Sequence, residues 1–343
     1  MRRFFALCCV FALVLSLSGC GQKKRFQKTY IDYFDTAITI IGYEKSETDF
    51  SSVCQEIETL LNKYHKYFDI YNSYENVVNV YDINQAAGKS PLMVDKELLD
   101  FINYSKEIHD LTNAQTNIAL GSVLKIWHEH REKATENPKN ATLPDISILN
   151  QAALHCDIND IVIDESASTV YLRDPDMLLD VGAVAKGYAM QKIYEYLEEK
   201  NITGYALNFG GMVRMLGKRG DGKEWTVAIE NPISHNSYVP VISLKGLAIS
   251  TSGSYQRFFE VDGVRYHHII DPDTLMPENR FLAVSVLTEN CTLADVLSTA
   301  LFNMTLEEGQ NLISDTNGAI GAMWVLPNGD REFFGDFKKY LVE

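Results

Sequence analysis

Asp180 and Lys186 flank a glycine in the run LDVGAVAKGYA. The stretch starts apolar, turns at Gly182, and continues with Ile193, Tyr196 and Leu197 at helical spacing. A carboxylate ahead of a helix N-terminus, free backbone N–H groups and a lysine in the first turns suit a metal-bound phosphate ester. The same residues also fit an ordinary strand-to-helix connection with a surface lysine. Asp295 and Thr299 lie four apart in TLADVLSTALFNM, so they share a helix face. Together they offer two hard oxygen ligands to Mg2+. A plainer reading is an aspartate favouring the helix dipole beside a core threonine. In HHIIDP, His267 and His268 alternate faces if a strand runs that far, so one of them faces any site. That histidine is either an acid or base near neutral pH or a hydrogen-bonded structural group. Asn208-Phe209-Gly210-Gly211 either brings backbone close to a ligand or turns a strand end. Tyr71, Trp127 and Tyr255 are candidates to stack on a flat ring, with core packing the ordinary role for each.

The elements that must position these groups follow from the hydrophobic pattern. Residues 29–43 predict a first strand, and residues 50–67 and 97–112 predict helices. Residues 71–88, rich in Asn and Tyr, read as an ordered surface loop. Residues 128–144 are charged and proline-flanked, and read as a surface excursion. Residues 161–172 form a hairpin pattern, and 204–213 a strand ending in a glycine pair. Asp262-Gly263 between FFEV and VRYHH is a two-residue hairpin signal. Residues 293–304 are helical by pattern. Helices alternate with strands, and tight turns join several strand pairs. The expected fold class is α/β: a single domain over residues 29–343 with a mixed, largely antiparallel sheet covered by helices.

The 343 residues are 46% hydrophobic, enough for a sizeable core. A formal net charge of −15 argues against nucleic-acid binding, which needs a basic face. It also means that an anionic substrate needs a metal or a few placed cations. Met1-Arg2-Arg3 is a cationic start, and residues 4–17 are apolar but too short to span a bilayer comfortably. Leu17-Ser18-Gly19-Cys20 resembles the bacterial lipobox. That resemblance implies a signal peptide over residues 1–19, lipidation of Cys20 and a tether over residues 20–28. It places the mature protein at the cell membrane, lipid-anchored on the extracytoplasmic face. A cleaved secretory signal with an incidental cysteine is the alternative. Cys54, Cys156 and Cys291 are widely spaced without a CxxC pair, so buried free thiols are expected rather than a zinc site.

The joint order of four segments goes further. LDVGAVAKGYA, ALNFGGMVRMLG, STSGSYQRFFEVDGVRYHHIIDP and LADVLSTALF occur in the order seen in the ApbE family of FAD:protein FMN transferases, over roughly residues 29–330. The resemblance implies cleavage of the FAD diphosphate with Mg2+. FMN would pass to a Thr or Ser hydroxyl of an acceptor protein carrying an FMN-attachment motif, with release of AMP. By motif position, Asp180, Lys186 and Ile269 would contact FAD. The Ala183 carbonyl, Asp295 and Thr299 would ligate Mg2+, and His268 would move the proton. Phe34, Tyr71 and the Asn117-Ile118-Ala119 run match flavin-contacting positions more loosely. Met212 and Leu275 depart from the family pattern, which has Asp or Asn and Gly there. The same site would also serve an FAD pyrophosphatase, and a non-catalytic flavin-binding lipoprotein is a third reading.

Overall fold

In a computed structural model of the chain, the described residues are 23–234, 237–244, 246–255 and 257–342. The segment read as a signal peptide and the expected lipidation site, Cys20, lie outside them. An eight-stranded sheet organises the rest. Its strands are β1 (Lys24–Tyr33), β2 (Thr36–Glu44), β3 (Tyr205–Phe209), β4 (Met212–Leu216), β5 (Ala248–Gly253), β6 (Ala283–Thr288), β7 (Ala319–Val325) and β8 (Arg331–Gly335). They follow one another across the sheet in chain order, and every neighbouring pair is antiparallel. The expected α/β fold with a largely antiparallel sheet under helices is present, with no parallel pair in the main sheet among the described residues.

The helices are α1 (Glu47–Phe68), α2 (Val80–Gln85), α3 (Lys96–Leu111), α4 (Gly121–Glu136), α5 (Ile146–Ala153), α6 (Gly182–Glu199), α7 (Cys291–Asn303) and α8 (Leu306–Asp315). Strand side chains alternate between two cores, as the pleat requires. On one face Ile38, Ile40, Leu207 and Phe209 meet Ile57 and Leu61 of α1, Ile193 and Leu197 of α6, and Ala294 of α7. On the other, Ala206, Val213, Ile249 and Met323 pack with Trp225, Ile242 and Phe337. Helix α7 is apolar nearly all round, so it is buried nearly all round. Thr299 is its one residue that is not buried.

Three sequence expectations change. Residues 29–43 are not one strand but a hairpin, whose turn holds Phe34 and Asp35 at φ 55° and 50°. Two positive-φ residues in succession match the twist of a hairpin, but without glycine or asparagine they cost free energy and hide the turn from a sequence reader. Lys24–Lys28, expected within a tether, instead belong to strand β1 and pair in register with Glu44–Ile40. The excursion expected from residue 128 is helical as far as Glu136, with Trp127 and Ala134 buried beneath its charged residues.

Candidate active site

The start of α6 is stitched in place from two sides. Leu179 exchanges both backbone hydrogen bonds with the Asn84 side chain, at 2.7 and 3.0 Å. The Asp180 N–H donates to the Ile118 carbonyl at 2.8 Å. The Asp180 carboxylate then accepts from the Gly182 N–H at 3.0 Å, at the positive end of the helix. One turn on, Lys186 Nζ lies 3.2 Å from the Gly182 carbonyl and 3.4 Å from Asp295 Oδ2.

Asp295 reaches this point because α6 and α7 touch at Gly187. A Cβ there would meet Asp295 Cβ at 2.7 Å and Thr292 Cα at 2.8 Å. The Gly187 N–H donates to Asp295 Oδ2 at 2.9 Å. By helix geometry that N–H also faces the Ala183 carbonyl, so the carboxylate competes with the carbonyl for one proton. Hydroxyls from β5 complete the wall. Ser250 Oγ donates to Asp295 Oδ1 at 3.3 Å, and Ser252 Oγ lies 2.9 Å from Ser298 Oγ and 3.4 Å from Thr299 Oγ1. Asp295 is 5% exposed. A buried carboxylate with hydroxyl and carbonyl oxygens beside it is the donor set of a hard cation, and fits Mg2+.

These groups line a cavity of about 800 Å³ together with Phe34, Tyr71, Asn117, Ile118, Phe209, Met212, His268 and Ile269. The residues that the family resemblance assigns to FAD, Mg2+ and proton transfer thus share one cavity, with one exception. Ala119 is fully buried, and its N–H is taken by Asn117 Oδ1 at 2.8 Å, so it stands behind the wall. Tyr71 is held at the mouth by Asp69, which accepts from the N–H groups of Tyr71 and Asn72 and from the Tyr74 hydroxyl. Burial would raise the Asp69 pKa, but these hydrogen bonds outweigh it and hold the carboxyl below its usual value.

The two histidines part company. His267 is buried, donates from Nε2 to the Glu278 carbonyl at 2.8 Å and accepts at Nδ1 from the Ile269 N–H. His268 faces the cavity. Its Nδ1 is buried without a partner among the described residues, which leaves Nε2 as the nitrogen open to the cavity. Burial, then the charges of Arg257, His267, Arg131 and Lys186, push its pKa down to about 3, so the ring is neutral and, while those cations are uncompensated, a weak base. Trp127 and Tyr255 do not line the cavity; Trp127 is core, donating from Nε1 to the Leu275 carbonyl at 3.0 Å.

Among the cavity groups that sequence reasoning missed are His128, Arg131, Arg257 and Ser250. His128 Nδ1 lies 3.3 Å from the Tyr71 hydroxyl, and its Nε2 lies 3.9 Å from Asp180 Oδ2. The first two belong to a charged run, whose aim depends on where α4 is docked. Outside the cavity, His155, Asp174 and Asp176 gather into a small acidic cluster. Asp174 there already accepts from the His155 ring and the Asp176 N–H, so hydrogen bonding accounts for it.

Known proteins share this architecture. An FAD:protein FMN transferase of Vibrio cholerae serotype O1 is 30% identical over 296 residues, covering 85% of this chain and 86% of that protein. One of Treponema pallidum is 28% identical over 341 residues, covering 95% and 91%. The crystal structure of the ApbE protein of Thermotoga maritima superposes with a TM-score of 0.80 at 27% identity, covering 93% of this chain and all of that one. The flavin transferase ApbE of Vibrio cholerae gives 0.77 at 25% identity with the same coverage. The model of the ApbE family matches residues 34–324, and this chain belongs to that family.

Proposed function

We propose that this protein transfers FMN from FAD to a Thr or Ser hydroxyl of a target protein and releases AMP. The observation that carries the reading is the meeting of Asp180, just ahead of α6, and Ala183 and Lys186 on α6 with Asp295 and Thr299 on α7 in one cavity, with His268 lining it. The names of the Vibrio and Treponema relatives support it.

FAD enters as substrate. Phe34, Tyr71, Ile118 and Ile269 give apolar and aromatic wall for its rings. The N-terminus of α6 and Lys186 attract the diphosphate. Mg2+ held by Asp295, Thr299 and the Ala183 carbonyl would neutralise charge on that diphosphate. His268 takes the proton of the acceptor hydroxyl at Nε2. The hydroxyl oxygen then bonds to the FMN-side phosphorus, and the bond to the AMP phosphate breaks. Placing these groups in advance supplies much of the rate, since phosphoryl transfer asks mainly for position and charge.

We read the protein as a lipoprotein held through Cys20 at the extracytoplasmic face of the cell membrane, which supplies the acceptor's location but not its name. The test is to incubate the protein with FAD, Mg2+ and a flavoprotein acceptor domain, then weigh the acceptor. A mass gain equal to FMN is expected. A folded protein that leaves the acceptor mass unchanged overturns the assignment, and turnover of FAD into FMN and AMP without transfer reassigns it as a pyrophosphatase.

A further inference from the structure

We infer that Arg131, with Arg257 beside it, receives an acidic side chain of the acceptor protein next to the hydroxyl that is modified; this rests on the transferase reading above. Arg131 projects from α4, and Arg257 follows β5; both line the cavity. Among the described residues the Arg131 guanidinium makes no hydrogen bond or ion pair. Arg257 gives one donor to the Asp35 carbonyl and makes no ion pair among the described residues. Burial and the neighbouring Arg257 charge disfavour the charged form of the partly buried Arg131, and Glu132 and Asp180 offset this only in part, so an anion arriving between the two guanidiniums would be favourable.

The diphosphate of FAD already has its own positive wall in Lys186 and the α6 N-terminus. Arg131 and Arg257 instead lie near His268. The hydroxyl that gives up its proton must rest against His268 Nε2, so the acceptor residues beside that hydroxyl rest against the guanidiniums. A guanidinium fork matches a carboxylate with two parallel hydrogen bonds. Asp32 and Asp35 are exposed at the same cavity, and the Asp35 carbonyl accepts from Arg257, so the guanidinium forks must outweigh the repulsion of these acids for a carboxylate to dock.

The experiment measures steady-state FMN transfer by the full chain in detergent, with Arg131→Gln and Arg131→Lys variants. The acceptor domain is used with and without Asp→Asn or Glu→Gln replacement of the acid nearest its modified hydroxyl. Arg131→Gln should raise the acceptor KM by about tenfold and flatten its dependence on salt. The Lys variant should recover part of the loss, and the Kd for FAD should stay within about twofold. The acceptor replacement should have the same effect on wild type and little further effect on Arg131→Gln, because both remove one interaction. A wild type that transfers while the variant keeps its acceptor KM and salt slope overturns the subsite alone. So does a variant whose defect lies in FAD affinity, which would give the arginines to the nucleotide. A wild type that transfers nothing removes the function and the subsite together.

Discussion

Asp295 concentrates several roles in one carboxylate. It accepts from Gly187, approaches Lys186 and Ser250, and lies on the helix face that also carries Thr299. Asp295→Asn keeps the shape and removes the charge, so FMN transfer should fall by about 10²- to 10³-fold, the size of losing one preorganised electrostatic group. Calorimetry with Mg2+ and FAD together should show weaker metal binding in the same variant. His268→Gln should lower kcat by roughly 10²- to 10⁴-fold, the usual share of a general base, while FAD still binds. The histidine also predicts a pH effect on stability. Its folded pKa, about 3, lies below the ordinary value, so the folded state holds fewer protons than the unfolded one. The stability it contributes is present above about pH 6.5 and is lost as the pH falls from there toward 3. Burial lowers the pKa of His128 and His267 in the same direction. Urea midpoints between pH 7 and pH 4 should therefore decline, and less steeply in His268→Gln than in wild type.

Gly187 and Leu275 show how elements decide what residues can do. Gly187→Ala puts a methyl group against the backbone and Asp295 of α7, where neither can move cheaply. A loss of about 1–3 kcal/mol is expected from overpacking, read as a lower melting temperature. Transfer should fall further than stability, because separating α6 from α7 separates Ala183 from Asp295. Leu275 stands at φ 60°, a conformation that costs a branched side chain roughly 1–2 kcal/mol, yet it is 6% exposed and packs in the cluster around Trp127. Leu275→Gly removes that strain but also about 2–5 kcal/mol of packing, so the protein should become less stable, and denaturant unfolding will show the sign. The elements that sequence located well were those with local causes. The Asp262-Gly263 turn falls between its two predicted strands, with positive φ at both positions. Residues 47–68 and 291–303 carry caps and a clear period, so their helices lie within a few residues of expectation. The Phe34-Asp35 turn has neither glycine nor asparagine and puts a phenylalanine at positive φ, and the aim of His128 and Arg131 depends on docking α4, so neither was readable.

Cys20→Ala should move the protein from the membrane fraction to the soluble one without changing transfer in a test tube; a variant that stays with the membrane would rule out the thiol as the anchor. The alternation of strands and helices was enough to expect an antiparallel sheet, but not its order, because pairing partners far apart in sequence leave no local trace. The neat chain-order succession of strands conceals one wide gap. Residues 45–204 separate β2 from the β3 strand that must lie beside it. A ribosome releases the amino end first, so the opening hairpin emerges with one flank of bare amides and carbonyls and waits for a neighbour synthesised much later. Birth of this protein is therefore most exposed to mispairing in that interval, and a chaperone sheltering the nascent β2 flank would do more for its yield than any gain in the finished core.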